Sequence, residues 1–153
     1  MAPLRSTSFW NTALVCAVFL VICDRLLKII SIYLWQQPQE IISGFSLMFA
    51  KNYDIAFSIQ TFINPLILII PLTIILLYFF VSAIKNKKTE ISSALLFIIL
   101  GAISNLYDRI MYGYIIDYVH IKYFTVFNLA DVMICGGILL LIAQSYTLDK
   151  TKS

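Results

Sequence analysis

The chain is poor in charge. Only 12% of its 153 residues are Asp, Glu, Lys or Arg, while 61% are hydrophobic. A soluble domain carries about a quarter charged residues, so that class is excluded. There is one histidine, His120, and the acids around it show no metal-ligand spacing. No basic run interleaves with aromatics, so nucleic acid is not an expected partner. Gly-x-Ser-x-Gly is absent, which disfavours a serine nucleophile of that type. Cys16, Cys23 and Cys135 fall inside apolar segments without framework or ligand spacing, and read as small buried residues. No metal and no cofactor is expected.

What the chain has instead is apolar runs of membrane-crossing length. Four spans are predicted, at roughly 9–34, 64–84, 91–107 and 128–146. The first could also be read as a leader, because Leu20-Val21-Ile22-Cys23 has a lipoprotein-type spacing. Val21 and Ile22 are too bulky for such a site, and apolar character resumes after Asp24, so an uncleaved helix is expected. Asn64 and Pro65 suit the start of the second helix, and Pro71 is where it would bend. Ser92 or Thr89 marks the start of the third. Gly101, Gly136 and Gly137 are expected to allow close helix packing.

Charge sets the orientation. Arg5, the Lys85-Asn86-Lys87-Lys88 link, Lys150 and Lys152 are basic. By the positive-inside rule these three regions are cytoplasmic, and an even number of spans requires both termini on one side. Residues 35–63 and 108–127 then face outward. The first of these, with Gly44 to Asn52, reads as a small extended platform at the membrane surface. Gly113 signals a turn in the second. The fold class is therefore membrane all-α: a four-transmembrane-helix bundle with a small β platform in the first outer loop, both termini cytoplasmic. Residues 1–153 form a single domain.

The acids do not spread evenly. Of the eight, Asp24, Glu40, Asp54, Asp108, Asp117 and Asp131 gather at the outer face, leaving Glu90 and Asp149. Asp24 lies roughly 22 Å along the first helix, in the outer third of the core. Asp24 and Lys28 stand at i, i+4 with the acid first, which reads as support for a site or as an interfacial ion pair with Lys28 snorkelling. Asn105, Asp108 and Arg109 share a helix face, with Asp108 ending the third helix. Arg109 reads as a clamp on a carboxylate, and the alternative is an interfacial cap. Asn128 and Asp131 share a face at i, i+3, and Asn128 can cap the fourth helix.

An ionisable group at the mouth of an apolar helix is costly and is a functional hypothesis by default. Asp131 near a helix N-terminus is favoured as an anion. Asp117, beside a second carboxylate and partly out of water, can hold a proton. Together they read as an asymmetric pair that activates water, or as two unrelated interfacial acids. His120 reads as an interfacial side chain.

At this point the ordered segments resemble the lipoprotein signal peptidase (signal peptidase II) family. Asp24-Arg25-Leu26-Leu27-Lys28 is similar to its Asp-x-x-x-Lys segment. Asn52 to Ser58 is similar to Asn-x-Gly-Ala-Ala-Phe-Ser, Asn105 to Arg109 to Asn-x-x-Asp-Arg, Gly113 to Tyr118 to Gly-x-Val-Val-Asp-Phe, and Phe127 to Asp131 to Phe-Asn-x-Ala-Asp. Asp54 and Ile55 stand where the family has Gly and Ala, Ser104 where it usually has Gly, and Arg25 and Leu27 are unusual. The chain reads as a divergent member.

The resemblance implies a multi-pass aspartic endopeptidase of the bacterial cytoplasmic (inner) membrane, with its active site near the outer face. Its substrate would be a diacylglyceryl-modified prolipoprotein, cut before the lipidated cysteine. Asp117 and Asp131 would be the catalytic dyad. Asn52, Asn105, Arg109 and Asn128 would position substrate or brace the dyad, with Asp24, Lys28 and Asp108 in support. A monomer in the bilayer is expected. The alternatives are an inactive lipoprotein-binding homologue or a small proton-coupled transporter.

Overall fold

The computed structural model describes residues 4–53 and 65–150, with side chains over 8–53 and 65–146. In chain order these form α1 (Leu4–Leu34), β1 (Gln39–Ile42), β2 (Phe45–Asn52), α2 (Leu66–Lys85), α3 (Thr89–Tyr112), β3 (Ile115–Ile121), β4 (Thr125–Phe127) and α4 (Leu129–Lys150). The helices stack against one another, and a small antiparallel sheet closes one end of the stack. Three helices, α2, α3 and α4, are long and apolar enough among the described residues to cross a membrane.

α3 is the central helix and touches the other three. Its approach to α4 is set by two glycines. A Cβ on Gly137 would lie 2.7 Å from the Ala94 carbonyl oxygen, and one on Gly101 would lie 2.6 Å from that of Ala130. Small residues let helix backbones meet where there is little hydrophobic drive between helices in lipid. Gly136 differs from the expectation, because its added Cβ would meet nothing within 4 Å. Around these contacts Ala83, Leu95, Ile98 and Ile99 form one buried cluster, and Ala17, Leu96 and Met133 another. The outward faces stay apolar, with Ile67, Leu68, Phe79 and Leu139 exposed. Cys16 and Cys135 are exposed as well, so the expectation that they are buried fails for these two.

Helix boundaries depart from the expected ones in instructive ways. α2 starts after Pro65, which occupies the cap position, and it is continuous through Pro71. Asn64 lies outside the described residues. Thr89 is the first residue of α3, while Ser92 lies inside it and bonds back to the Lys88 carbonyl. At its other end α3 runs five residues beyond the expected end at 107, reaching Tyr112. Asp108 and Arg109 therefore lie inside the helix, not at its end. Gly113 closes α3 with φ of 79°, a left-handed conformation that glycine adopts without strain, and its N–H bonds to the Arg109 carbonyl.

The sheet draws on the α1–α2 and α3–α4 connections, not on the first alone. Its order is β1-β2-β3-β4. β2 and β3 pair Phe45 with Ile121, Ser46 with His120 and Ala50 with Asp117, with a register shift between Leu47 and Ala50. Residue 117, expected in an outer loop, thus lies in the middle of a strand. Ile115, Ile116, Asp117 and Tyr118 are all buried, where β3 pairs with β2 and packs against α1 and α3.

Candidate active site

Asp117 projects from β3 and is 1% exposed. Asn52 of β2 donates its side-chain amide to Oδ2 at 2.9 Å, and Asn128 donates to Oδ1 at 2.6 Å. Burial pushes the Asp117 carboxyl up to about 7, and the neighbouring Asp131 charge adds to that shift. The two amide hydrogen bonds and Lys28 pull the other way. A carboxyl in this state changes protonation near neutral pH.

Asp131 arrives from the other side, on the first turn of α4. Asn128 is the residue before that helix, and its Oδ1 accepts the Asp131 N–H at 2.9 Å. The Asp131 carboxylate reaches back to the Asn128 N–H at 3.2 Å. This reciprocal capping box satisfies two amides that the helix itself leaves unpaired. Asn105 of α3 donates to the other Asp131 oxygen at 2.7 Å. Asn128 thus touches both aspartates, and its amide also reaches the Asn105 side-chain oxygen at 3.2 Å. Asp117, Asp131, Asn105, Asn128 and Asn52 form one hydrogen-bonded cluster.

A second layer of charge lies beneath it. Lys28 is 1% exposed and sits between Asp24 at 3.1 Å and Asp108 at 2.7 Å, with its third bond to Asn105 at 2.9 Å. Three donors meet three acceptors, which is what makes a buried ammonium tolerable. Lys28 points inward and does not snorkel. Asp108 also accepts the Ile116 N–H at 3.3 Å, so it ties α3 to the strand that carries Asp117. Arg109 is buried and lies within electrostatic reach of Asp131, Asp117 and Asp108. The ion pairs seen on Asp108 come from Lys28 and Arg25. Asp54 lies outside the described residues.

The nine expected site residues therefore converge from α1, β2, α3, β3 and α4. A scan for the family gives a match to Signal peptidase (SPase) II over residues 16–147. The chain belongs to the signal peptidase II family. Among its relatives, the lipoprotein signal peptidase of Syntrophomonas wolfei is 33% identical over 144 residues, covering 88% of this chain and 90% of its own. That of Pseudoalteromonas translucida is 31% identical over 136 residues, covering 81% and 80%. A solved bacterial membrane enzyme superposes with a TM-score of 0.80 at 25% identity, covering 94% of this chain and 92% of that one. A second gives 0.72 at 26% identity, with 88% and 92% covered.

This family member carries three polar groups in the site that the sequence reading did not assign. Arg25 bonds Asp108 at 2.8 Å and lies 3.4 Å from Asp24. Ser104 donates to Asp24 at 2.6 Å, and the Tyr118 hydroxyl donates to it at 3.2 Å. Ser104 stands at i, i+4 to Asp108, the signal that could have found it. Tyr118 had no such signal, because its role depends on which way β3 faces. His120 pairs with Ser46 at 2.9 Å across the sheet. Among the described residues, no cluster of three or more His, Cys, Asp and Glu could hold a metal ion.

Proposed function

We propose that Asp117 and Asp131 are the catalytic dyad of an aspartic endopeptidase that removes signal peptides from diacylglyceryl-modified prolipoproteins. The observation that carries this reading is the double contact of Asn128. Asn128 bonds the Asp117 carboxylate through its side-chain amide and the Asp131 carboxylate through its backbone N–H, and so ties the Asp117 strand to the Asp131 helix. The names of the relatives supply the substrate class.

The chemistry follows from the asymmetry of the two acids. Asp131 acts as the ionised base, favoured by the Asn128 and Asn105 donors and by the helix N-terminus. Asp117, raised to about 7, supplies the neutral acid. Asp131 takes a proton from water as its oxygen bonds to the scissile carbonyl carbon. Asp117 gives its proton to the carbonyl oxygen, which neutralises the developing charge. The carbon–nitrogen bond then breaks. Asp131 returns its proton to the leaving amine, and Asp117 recovers one from the tetrahedral hydroxyl. No bond to the enzyme forms. Asn52, Asn105 and Asn128 hold the two carboxylates at the geometry this needs, while Asp24, Lys28 and Asp108 fix the helices that carry them. Arg109 tunes the field at the dyad.

In the bilayer, α1 serves as the fourth span beside α2, α3 and α4. The basic residues Lys85, Lys87 and Lys88 support a cytoplasmic α2–α3 link, and so both termini on that side. The sheet and dyad then lie at the outer face of the bacterial cytoplasmic membrane, at the depth of a diacylated cysteine. A monomer is taken as the working unit. A proton-coupled transporter would need ionisable groups through the full membrane depth. The buried charges of the described residues, Asp24, Lys28, Asp108, Arg109 and Asp117, all lie at the sheet end, which disfavours that alternative.

The test is mass spectrometry of a diacylglyceryl-modified prolipoprotein incubated with purified protein and a chelator. The expected product begins at the modified cysteine, and Asp131→Asn forms none. Binding without cleavage by the unmodified protein would instead identify an inactive homologue.

A further inference from the structure

The first turn of α4 carries Asp131, and its exposed amides are met by side chains from elsewhere in the fold. The Leu129 N–H donates to the Tyr118 hydroxyl at 3.0 Å. The Ala130 N–H donates to Asp24 Oδ1 at 3.3 Å. The Asp131 N–H is taken by Asn128. A helix leaves its first four N–H groups without intrahelical partners, and here three of them have named partners. Two of those partners come from β3 and α1, not from the α4 sequence.

Tyr118 joins them. It is 2% exposed, and its ring packs against Trp35 with centroids 6.3 Å apart. Its hydroxyl accepts from Leu129 and donates to Asp24 at 3.2 Å. Burial first, and the Asp24 charge second, push its ionisation upward, so it remains a donor. Tyr118 also follows Asp117 directly on β3. Successive side chains of a strand point to opposite faces. Asp117 therefore bonds the Asn128 side of α4 while Tyr118 bonds the Leu129 amide.

We propose that Tyr118 is a positioning residue: its hydroxyl, backed by Asp24, clips the Asp117 strand to the Asp131 helix and sets the spacing of the two carboxylates. This rests on the dyad reading above. It adds a residue that touches no reacting atom and acts through the placement of Asp131. The charged groups that act on Asp117 are Lys28 from α1, Arg109 from α3 and Asp131 from α4. Of these, only Asp131 sits on the turn that Tyr118 holds.

Tyr118→Phe keeps the ring and removes the clip. With the full-length protein in detergent and the same prolipoprotein substrate, kcat should fall about 3- to 10-fold, the range of one neutral hydrogen bond, with KM within about twofold. The basic limb of the kcat–pH profile should move to lower pH by about half a unit, because a looser Asp131 raises the Asp117 pKa less. A smaller folded fraction would scale the profile without moving it. An unmoved limb, or a loss confined to KM, would overturn the positioning role. Asp117→Asn and Asp131→Asn run alongside: if both are inactive and Tyr118→Phe matches the unmodified protein, the dyad stands and this inference fails. Asp24→Asn provides a second variant, expected to move the limb in the same direction.

Discussion

The contact between α3 and α4 uses different chemistry at its two ends. Toward the ends away from the sheet, Gly137 lies against the backbone of Ala94 and the backbone and aliphatic side chain of Ile98. Toward the sheet, Asn105 meets Asp131 and Asn128 through hydrogen bonds of 2.7 and 3.2 Å. The first contact needs only shape. The second needs each buried donor and acceptor to find a partner, since an unpaired polar group out of water costs about 1–3 kcal/mol and an unpaired charge more. Where the fold accepts that constraint, it holds two carboxylates close together. The bundle is the cheap part of the molecule, and the polar end is what specifies chemistry.

Substitutions at the two ends should separate accordingly. The largest effect belongs to the dyad. Asp117→Asn or Asp131→Asn should lower turnover by about 10³-fold or more, the scale on which catalytic groups of other hydrolases fail, while the protein still inserts and purifies. Next comes the buried ion cluster. Lys28→Met leaves Arg25 as the one cation ion-paired with Asp24 and Asp108 among the described residues, so about 3–5 kcal/mol of stability should be lost, read as folded yield or melting temperature in detergent. Activity lost together with folding would mark Lys28 as support, and activity lost alone would move it into the chemistry.

The apolar end gives smaller and more selective effects. Gly137→Ala forces a carbon to within 2.7 Å of backbone, and should cost about 1–3 kcal/mol. Gly136→Ala, one residue away, meets nothing and should stay within about 0.5 kcal/mol. Equal melting temperatures for the pair would break the distinction. Acidity gives a gentler probe still. Asp117 has a folded-state pKa raised from 3.8 to about 7, so the folded state binds the extra proton. Its contribution to stability is full below about 4 and is lost as pH rises toward 7, the reverse of an ordinary salt-bridged carboxylate. Asp117→Asn should flatten that part of the stability profile.

Much of this was legible in the residues. Apolar runs located four helices, and the pattern of acids gathered the site residues at one end. The Asn128–Asp131 spacing announced the cap. Other features were not legible, for physical reasons. β3 is buried on both faces through Tyr118, so it shows no alternation and read as a loop. Asp108 and Arg109 looked like the wet end of α3, because charge normally marks an interface. Here Lys28 and Arg25 make burial of Asp108 affordable, and the helix continues to Tyr112. Gly136 and Gly137 are chemically identical, and only helix phase decides which one faces α3.

The most direct measurement is the pH dependence of kcat for prolipoprotein cleavage between pH 5 and 9, for the unmodified protein and Asp117→Asn. The account predicts cleavage that falls on the basic side with an apparent pKa near the raised Asp117 value of about 7, and no turnover in the variant at any pH. A variant that cleaves at the unmodified rate would contradict it.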